Sequence, residues 1–194
     1  MTAIKVITRR HNGRRGENGF RGSVVNYSLK IPVPKAKASL GQAISAADAQ
    51  DIIQVAAAGN SNDQAINNLP AAYTEVITVA SMGDNYKLTP STNFGTAVDI
   101  IAPGAGITAA SSDSNDGYEN VSGTSFAAPL VAGVCAQFMS YRNGPQTKAD
   151  VYNMLIDFSL KNVVDVTGAD RTPNRLVNNG AKTRGWPQRD ELKV

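Results

Sequence analysis

The stretch 121–141 carries no charged side chain, and it determines what must lie at the centre of the fold. From Ser125 onward its residues are apolar nearly all round a helix, which is typical of a helix buried on every side. Its small residues allow close approach to a sheet; they are Ala127, Ala128, Ala132, Gly133 and Ala136. The stretch also approaches the length of a membrane span. Because polar residues and a proline interrupt it, we expect a core helix and no membrane partner.

Strand-like runs alternate with helical patterns along the rest of the chain. Strands are expected at 3–7, 23–29, 52–58, 76–80 and 98–101, and helices at 40–49 and from Thr147, where Asp150 completes a capping pattern. The later strand runs are mostly continuous and apolar, as in a parallel sheet buried on both faces. The segments 59–75, 81–97 and 103–122 are rich in Gly, Asn, Ser and Pro, and we expect loops there that hold the site. The sequence thus predicts an α/β fold with a parallel sheet flanked by helices.

The chain has 194 residues and a formal net charge of +3, concentrated at its ends. Residues 1–22 carry six basic and one acidic side chain, and residues 181–194 carry four and two, which leaves −4 for the middle. We therefore predict a basic N-terminal segment (1–22) that includes the strand at 3–7, one domain (23–180) and a tail (181–194). Arginines in the first segment could contact phosphates. Since the interleaved aromatic residues that stack on bases are lacking, we expect no nucleic acid partner.

Cysteine and histidine occur once each. Cys135 lies among Val134, Ala136 and Phe138 and is predicted to be a small buried apolar residue. His11 lies in the basic, glycine-containing segment 9–15, with nothing in that segment that resembles an orienting carboxylate. We predict a solvated loop histidine.

Ser125 opens the expected central helix, directly after Gly123 and Thr124. A serine at the first turn of a helix has unpaired N–H groups and the positive end of the helix dipole beside its hydroxyl. That setting stabilises negative charge on a nearby oxygen, as acyl transfer requires. Pro129 is expected to fit the first turn, where its missing N–H costs little.

Asn60 follows the run 52–58 at its carboxyl end, where open α/β sheets place ligands. Its side-chain amide can donate two hydrogen bonds, so beside the Ser125 backbone N–H it could hold an oxyanion. The alternative is an asparagine that tolerates a turn conformation after Gly59. Position alone favours the turn, whereas the neighbouring Gly-Thr-Ser motif favours the oxyanion role.

Six segments occur in the order found in subtilisin-like (subtilase) serine endopeptidases, and the chain resembles the C-terminal part of a proteinase K-type enzyme. The segments are 24–29, 55–60, 69–73 with 76–79, 93–95 with 98–104, 122–133 and 172–176. One such match would be weak, but six in register are a specific signal. The resemblance implies a subtilisin-like parallel sheet and serine-type cleavage of peptide bonds.

The resemblance implies Ser125 as the nucleophile and Asn60 as the oxyanion donor. It also implies two backbone walls that pair with an extended polypeptide substrate, the strand-addition mode of recognition. The residues it places against the substrate are Ser28, Leu29, Ala57, Ala58, Gly59 and Thr124. Lys30 stands where the family usually has glycine, and we expect it to narrow or charge this cleft.

No cofactor is implied for the reaction, but the resemblance raises a structural calcium ion. In the family the equivalent of Asp99 often joins main-chain carbonyls, here those of Thr74 and Val76, around calcium, which prefers oxygen ligands. The alternative is an aspartate satisfied by loop N–H groups, and the sequence favours neither. Family members often have a cis bond before the proline that matches Pro70, so Leu69–Pro70 is a candidate cis peptide.

The family's Asp-Ser/Thr-Gly and His-Gly-Thr-His motifs do not occur in the sequence. The run at 3–7 resembles the strand that follows the family's histidine helix, which implies a chain N-terminally truncated relative to the family. Without a base to take the serine proton, we expect the isolated chain to be inactive. The missing segment also holds a central strand. We therefore expect pairing with an N-terminal segment or a second copy, or a rearranged sheet.

A non-catalytic relative on the same scaffold, a pseudoprotease or protein-binding module, is the alternative function. The sequence begins without a signal-peptide pattern. The resemblance implies secretion if a full-length precursor exists.

Overall fold

A computed structural model describes His11, Arg14 and residues 22–33, 38–140 and 147–181. From residue 22 onward its helices are α1 (Ala38–Asp48), α2 (Thr124–Ser140) and α3 (Lys148–Phe158), with a 3-10 turn at Ala65–Asn67. The strands are β1 (Val24–Tyr27), β2 (Ile31–Pro32), β3 (Ile53–Ala57), β4 (Asn68–Leu69), β5 (Ile77–Met82), β6 (Ile100–Pro103), β7 (Ile107–Ala110), β8 (Tyr118–Val121), β9 (Leu160–Lys161) and β10 (Arg175–Leu176).

The main sheet has six described strands in the order β1-β3-β5-β6-β10-β9. Successive neighbours from β1 to β10 are parallel, and β9 adds an antiparallel edge. Two small antiparallel pairs, β2–β4 and β7–β8, lie outside it. The predicted α/β fold, a parallel sheet flanked by helices, is confirmed. The strand expected at 3–7 and the tail beyond residue 181 lie outside the described residues.

The two interior strands β3 and β5 are buried along their whole length, as their apolar runs predicted. Gln54 interrupts the first of these runs but is also fully buried. Its Oε1 accepts a hydrogen bond from the Tyr27 hydroxyl at 2.9 Å, and its Nε2 donates to the Ile44 carbonyl at 3.1 Å. Both ends of the amide are therefore paired, which removes the main cost of burying it.

Helix α2 is the helix that the uncharged stretch predicted, but the expectation that it is buried on every side is wrong. Pro129, Leu130, Gly133 and Ala136 are exposed and lie along one face of the helix. It packs against β1, β3, β5 and β6, and also against α3. Phe138 is fully buried and stacks on Phe158 of α3, with 5.6 Å between the ring centroids. Among the described helices, none is both long and apolar enough to cross a bilayer. The helix is thus a core element.

Several local predictions are confirmed. The expected helix at 40–49 is α1, and Thr147 and Asp150 form a reciprocal capping box at the start of α3. The Leu69–Pro70 peptide bond is cis. The strand expected at 98–101 lies two residues further on, as β6. The segment 103–122, expected to be a loop, contains the hairpin β7–β8, whose strands are half-buried or exposed and so lack an apolar signal.

The prediction for His11 is wrong. Its backbone is helical and its side chain is only 4% exposed. Its Nδ1 lies 3.1 Å from the Ser23 hydroxyl, directly before β1. The polar neighbours of His11 in sequence indicated a solvated loop, but a tertiary contact buries the ring.

Cys135 is fully buried in α2, and this burial raises the pKa of its thiol to about 12. Because the thiolate is the reactive form, we expect the native chain to resist a thiol reagent such as DTNB at mildly alkaline pH. Labelling should proceed only as fast as the chain opens, and at once in denaturant. Rapid stoichiometric labelling of the native chain, followed by absorbance, would contradict this placement.

Candidate active site

The first part of the site is the turn that follows β3. Gly59 has a φ of 110°, a backbone conformation that residues other than glycine rarely adopt. A Cβ at this position would also lie 2.5 Å from the Asn93 side-chain nitrogen. The turn therefore requires glycine at residue 59, and it carries Asn60 out of the sheet into an exposed position.

The fully buried side chain of Asn93 holds this turn in place. Its Nδ2 donates to the Ala58 carbonyl at 3.0 Å. Its Oδ1 accepts the backbone N–H groups of Ser61 at 2.9 Å and Asp63 at 3.3 Å. One side chain thus satisfies three backbone groups on both sides of Asn60.

Asn60 contacts the first residue of α2. Its Oδ1 accepts two hydrogen bonds, from the Thr124 backbone N–H and from the Thr124 hydroxyl, both at 2.9 Å. The Thr124 hydroxyl in turn accepts the Gly59 N–H at 3.2 Å. Gly123 has a φ of 139°, and a Cβ there would lie 3.0 Å from Asn60 Nδ2. The structure therefore brings Asn60 to the Gly-Thr-Ser motif.

The electrostatic setting of this junction favours negative charge. Helix α2 has 17 residues, and its first turn contains no acidic side chain that would neutralise its positive end. Ser125, its second residue, is half-buried at that end of the helix. The N–H groups of Thr124, Phe126 and Ala127 are paired with Asn60 Oδ1 and the Gly123 carbonyl, so within the described residues of this turn the Ser125 N–H is the one left without a partner. Chemically, the arrangement can hold an anionic oxygen next to a serine hydroxyl.

Pro129 was expected in the first turn of the helix. It is instead the sixth residue of α2. It has no N–H to donate to the carbonyl four residues earlier, which is that of Ser125. The Ser28 hydroxyl donates to this carbonyl instead, at 2.6 Å. The proline thus turns a helical hydrogen bond into a tertiary one between Ser125 and the segment that follows β1.

The two expected substrate walls leave the sheet at the same edge. Strands β1 and β3 are parallel neighbours, with Tyr27 paired to Ala56. Ser28 and Leu29 follow β1 and are exposed, while Ala57 to Gly59 end β3 and its turn. The Lys30 ammonium lies 2.5 Å from the Ser61 hydroxyl and so links the segments after the two strands. Their role toward a substrate stays a prediction.

Thr74, Val76 and Asp99 line a common cavity of about 530 Å³. The two oxygens of Asp99 accept hydrogen bonds from the Thr78 N–H at 2.8 Å and from the Tyr152 hydroxyl at 3.0 Å. Burial raises the pKa of this carboxyl, while those two hydrogen bonds act in the opposite direction. In the described part of the chain, no cluster of three or more His, Cys, Asp or Glu side chains could hold a metal ion.

Sequence reasoning missed how three of these residues act. It named Asn93 only as part of a motif, and it named Ser28 and Thr124 only as substrate contacts. In the structure their side chains hold the turn, the Ser125 carbonyl and Asn60, respectively. The Pro129 signal was present in the sequence, since a proline inside a helix always frees a carbonyl one turn earlier.

Comparison with known proteins assigns the family. Residues 16–180 match the model of the subtilase family (peptidase family S8), a range that contains the domain predicted at 23–180. The chain therefore belongs to the subtilase family, whose members are subtilisin-like serine peptidases.

Individual relatives agree with this assignment. The chain is 34% identical over 144 residues to a cuticle-degrading serine protease of Arthrobotrys oligospora, covering 74% of this chain and 35% of that protein. It is 30% identical over 190 residues to subtilisin-like protease 3 of Saccharomyces cerevisiae, covering 93% and 39%. A crystal structure of a cold-adapted subtilisin-like serine proteinase superposes with a TM-score of 0.80 at 30% identity, covering 93% of this chain and 60% of that one. The chain spans little more than a third of the length of these two curated relatives.

Replacing Asn93 tests whether it holds the turn. Asn93→Ala removes three hydrogen bonds and leaves buried backbone groups without partners, so we expect a loss of about 2–3 kcal/mol in the free energy of unfolding. The control is Asn120→Ala, which removes an exposed asparagine that accepts one hydrogen bond from Thr108 and should change stability by less than about 0.5 kcal/mol. Urea denaturation of both variants gives the comparison, and equal effects would show that Asn93 is not the anchor.

Proposed function

We propose that this chain carries the nucleophile and the oxyanion donor of a serine endopeptidase. Ser125 is the nucleophile, and Asn60 Nδ2 with the Ser125 backbone N–H receives the negative oxygen of the tetrahedral intermediate. The observation that carries the proposal is the double hydrogen bond from Thr124 to Asn60 Oδ1. It fixes the amide through its acceptor end, so that its donor end is left for an oxyanion beside Ser125.

The attack needs a base that this sequence does not supply in the family's pattern. When the Ser125 oxygen bonds to the substrate carbonyl, its proton must pass to a histidine that an aspartate orients. The only histidine, His11, is buried against Ser23. We propose that the Asp and His come from a further segment, in cis or in trans, and that the chain alone is inactive. Loss of the histidine costs subtilisin about 10⁶-fold in kcat.

The proposed substrate is an extended polypeptide. Ser28 and Leu29 after β1 are exposed and would offer it backbone groups beside Ser125. On the other side, the N–H and carbonyl groups of Ala58 and Gly59 are already paired with Val79, Asn93 and Thr124, so Ala57 to Gly59 would line the substrate without pairing to it. Main-chain pairing with Ser28 and Leu29 gives affinity with little side-chain specificity. Lys30 adds a positive charge at the point where it links the two sides, so acidic substrate side chains should be favoured there.

Two wider proposals follow from family membership. A segment bearing Asp and His, or a second copy of this chain, is the proposed protein partner, because the segment that the resemblance implies to be missing holds a central strand, and β1 is an edge of the described sheet. Secretion is proposed for a full-length precursor. The competing function is a pseudoprotease or binding module, which the missing Asp and His motifs favour.

A fluorophosphonate probe, which reacts with activated serines, separates these functions. We expect it to label Ser125 only when an Asp- and His-bearing subtilase segment is supplied, fused or as a separate chain, and Ser125→Ala to remove the label. In the complemented enzyme, Asn60→Ala should slow labelling by about 10²–10³-fold, the loss known for the oxyanion asparagine of subtilisin. Mass spectrometry identifies the labelled residue.

Two outcomes would overturn the proposal. Rapid labelling of the chain alone would mean that another base serves Ser125. No labelling with a segment that demonstrably binds would favour the non-catalytic function.

A further inference from the structure

The calcium site that the resemblance implies does not fit the residues present. Asp99 is the only carboxylate among the three expected ligands, and each of its oxygens already accepts one protein hydrogen bond, from the Thr78 N–H and from the Tyr152 hydroxyl. Two cationic side chains, Arg175 and Lys148, also act on it. A calcium ion takes six to eight oxygen ligands and gains most from uncompensated carboxylates. The protein itself thus compensates part of the charge of Asp99, although burial still raises the pKa of this carboxyl.

The cation in this region is an ammonium group. The Lys148 Nζ donates to the Glu75 carbonyl at 2.7 Å, within the same turn that contains Thr74 and Val76. It also forms a close ion pair with the Asp48 carboxylate. Both partners are far from Lys148 in sequence, and its side chain is only 21% exposed. One ammonium therefore joins the turn before β5 to the end of α1.

The surroundings show why a cation is needed at this point. Asp48 is the last residue of α1, where the negative end of the helix dipole disfavours a carboxylate. Asp51 lies just beyond and accepts the Lys148 backbone N–H at 3.2 Å, at the start of α3. The Glu75 carbonyl, whose oxygen has a partial negative charge, is the third acceptor at this point. A positive charge between them offsets their mutual repulsion.

We propose that Lys148 is a built-in cation that replaces structural calcium in this chain. It cross-links α1, α3 and the turn before β5 by charge-assisted hydrogen bonds, the role a bound ion would have there. Stability of the chain is accordingly independent of calcium. This inference concerns the scaffold and does not depend on the proposed enzymatic function.

The test is thermal unfolding of the full chain, followed by circular dichroism. In the unsubstituted chain, the melting temperatures in excess EGTA and in millimolar calcium should agree within about 1 °C. If calcium bound the folded chain, a calcium concentration far above its Kd would raise the melting temperature by several degrees. Lys148→Met should lower the melting temperature by roughly 4–8 °C, because it leaves Asp48 and the Glu75 carbonyl without their partner.

Two further variants keep the result interpretable. Lys87→Met removes an exposed lysine whose ion pair with Asp165 spans 3.7 Å and should lower the melting temperature by no more than about 2 °C. Lys148→Arg retains the charge and should keep most of the stability, which also guards against a Lys148→Met chain that fails to fold.

Three results would overturn the inference. The first is a melting temperature that rises with calcium and loses this dependence in Asp99→Asn. The second is a Lys148→Met effect no larger than that of Lys87→Met. The third is a Lys148→Arg chain as unstable as Lys148→Met, since a charged replacement would then have failed to restore the cross-link.

Discussion

The hydroxyl group of Thr124 is the contact on which the rest of the site depends. It accepts a hydrogen bond from Gly59 and donates one to Asn60, so it joins the end of β3 to the start of α2 across more than sixty residues of sequence. Thr124 is fully buried, and water therefore cannot replace either hydrogen bond. The orientation of the Asn60 amide and the position of Ser125 both follow from this junction.

The sequence was sufficient to predict the fold because its core elements carry strong periodic signals. β3 and β5 lie in continuous apolar runs, α2 is apolar all round, and the Thr147 box marks the start of α3 by local chemistry alone. Parallel strands flanked by helices are the architecture that such runs permit. The residues near Ser125 were predicted through the family motifs rather than through periodicity.

What could not be predicted is set by contacts between distant residues. Gln54 is tolerated in the core only because Tyr27 and Ile44 pair with it. His11 is buried although its sequence neighbours are polar. Lys148 looks like an ordinary first-turn lysine, and its partners lie seventy to a hundred residues away. No local pattern encodes these pairings, since each depends on which surfaces the fold brings together.

The proline inside α2 also decides what holds Ser125 in place. Because Pro129 leaves the Ser125 carbonyl to the Ser28 hydroxyl, the position of Ser125 depends on the segment after β1 as well as on its own helix. Anything that displaces the segment after β1 would therefore change a contact of the Ser125 backbone.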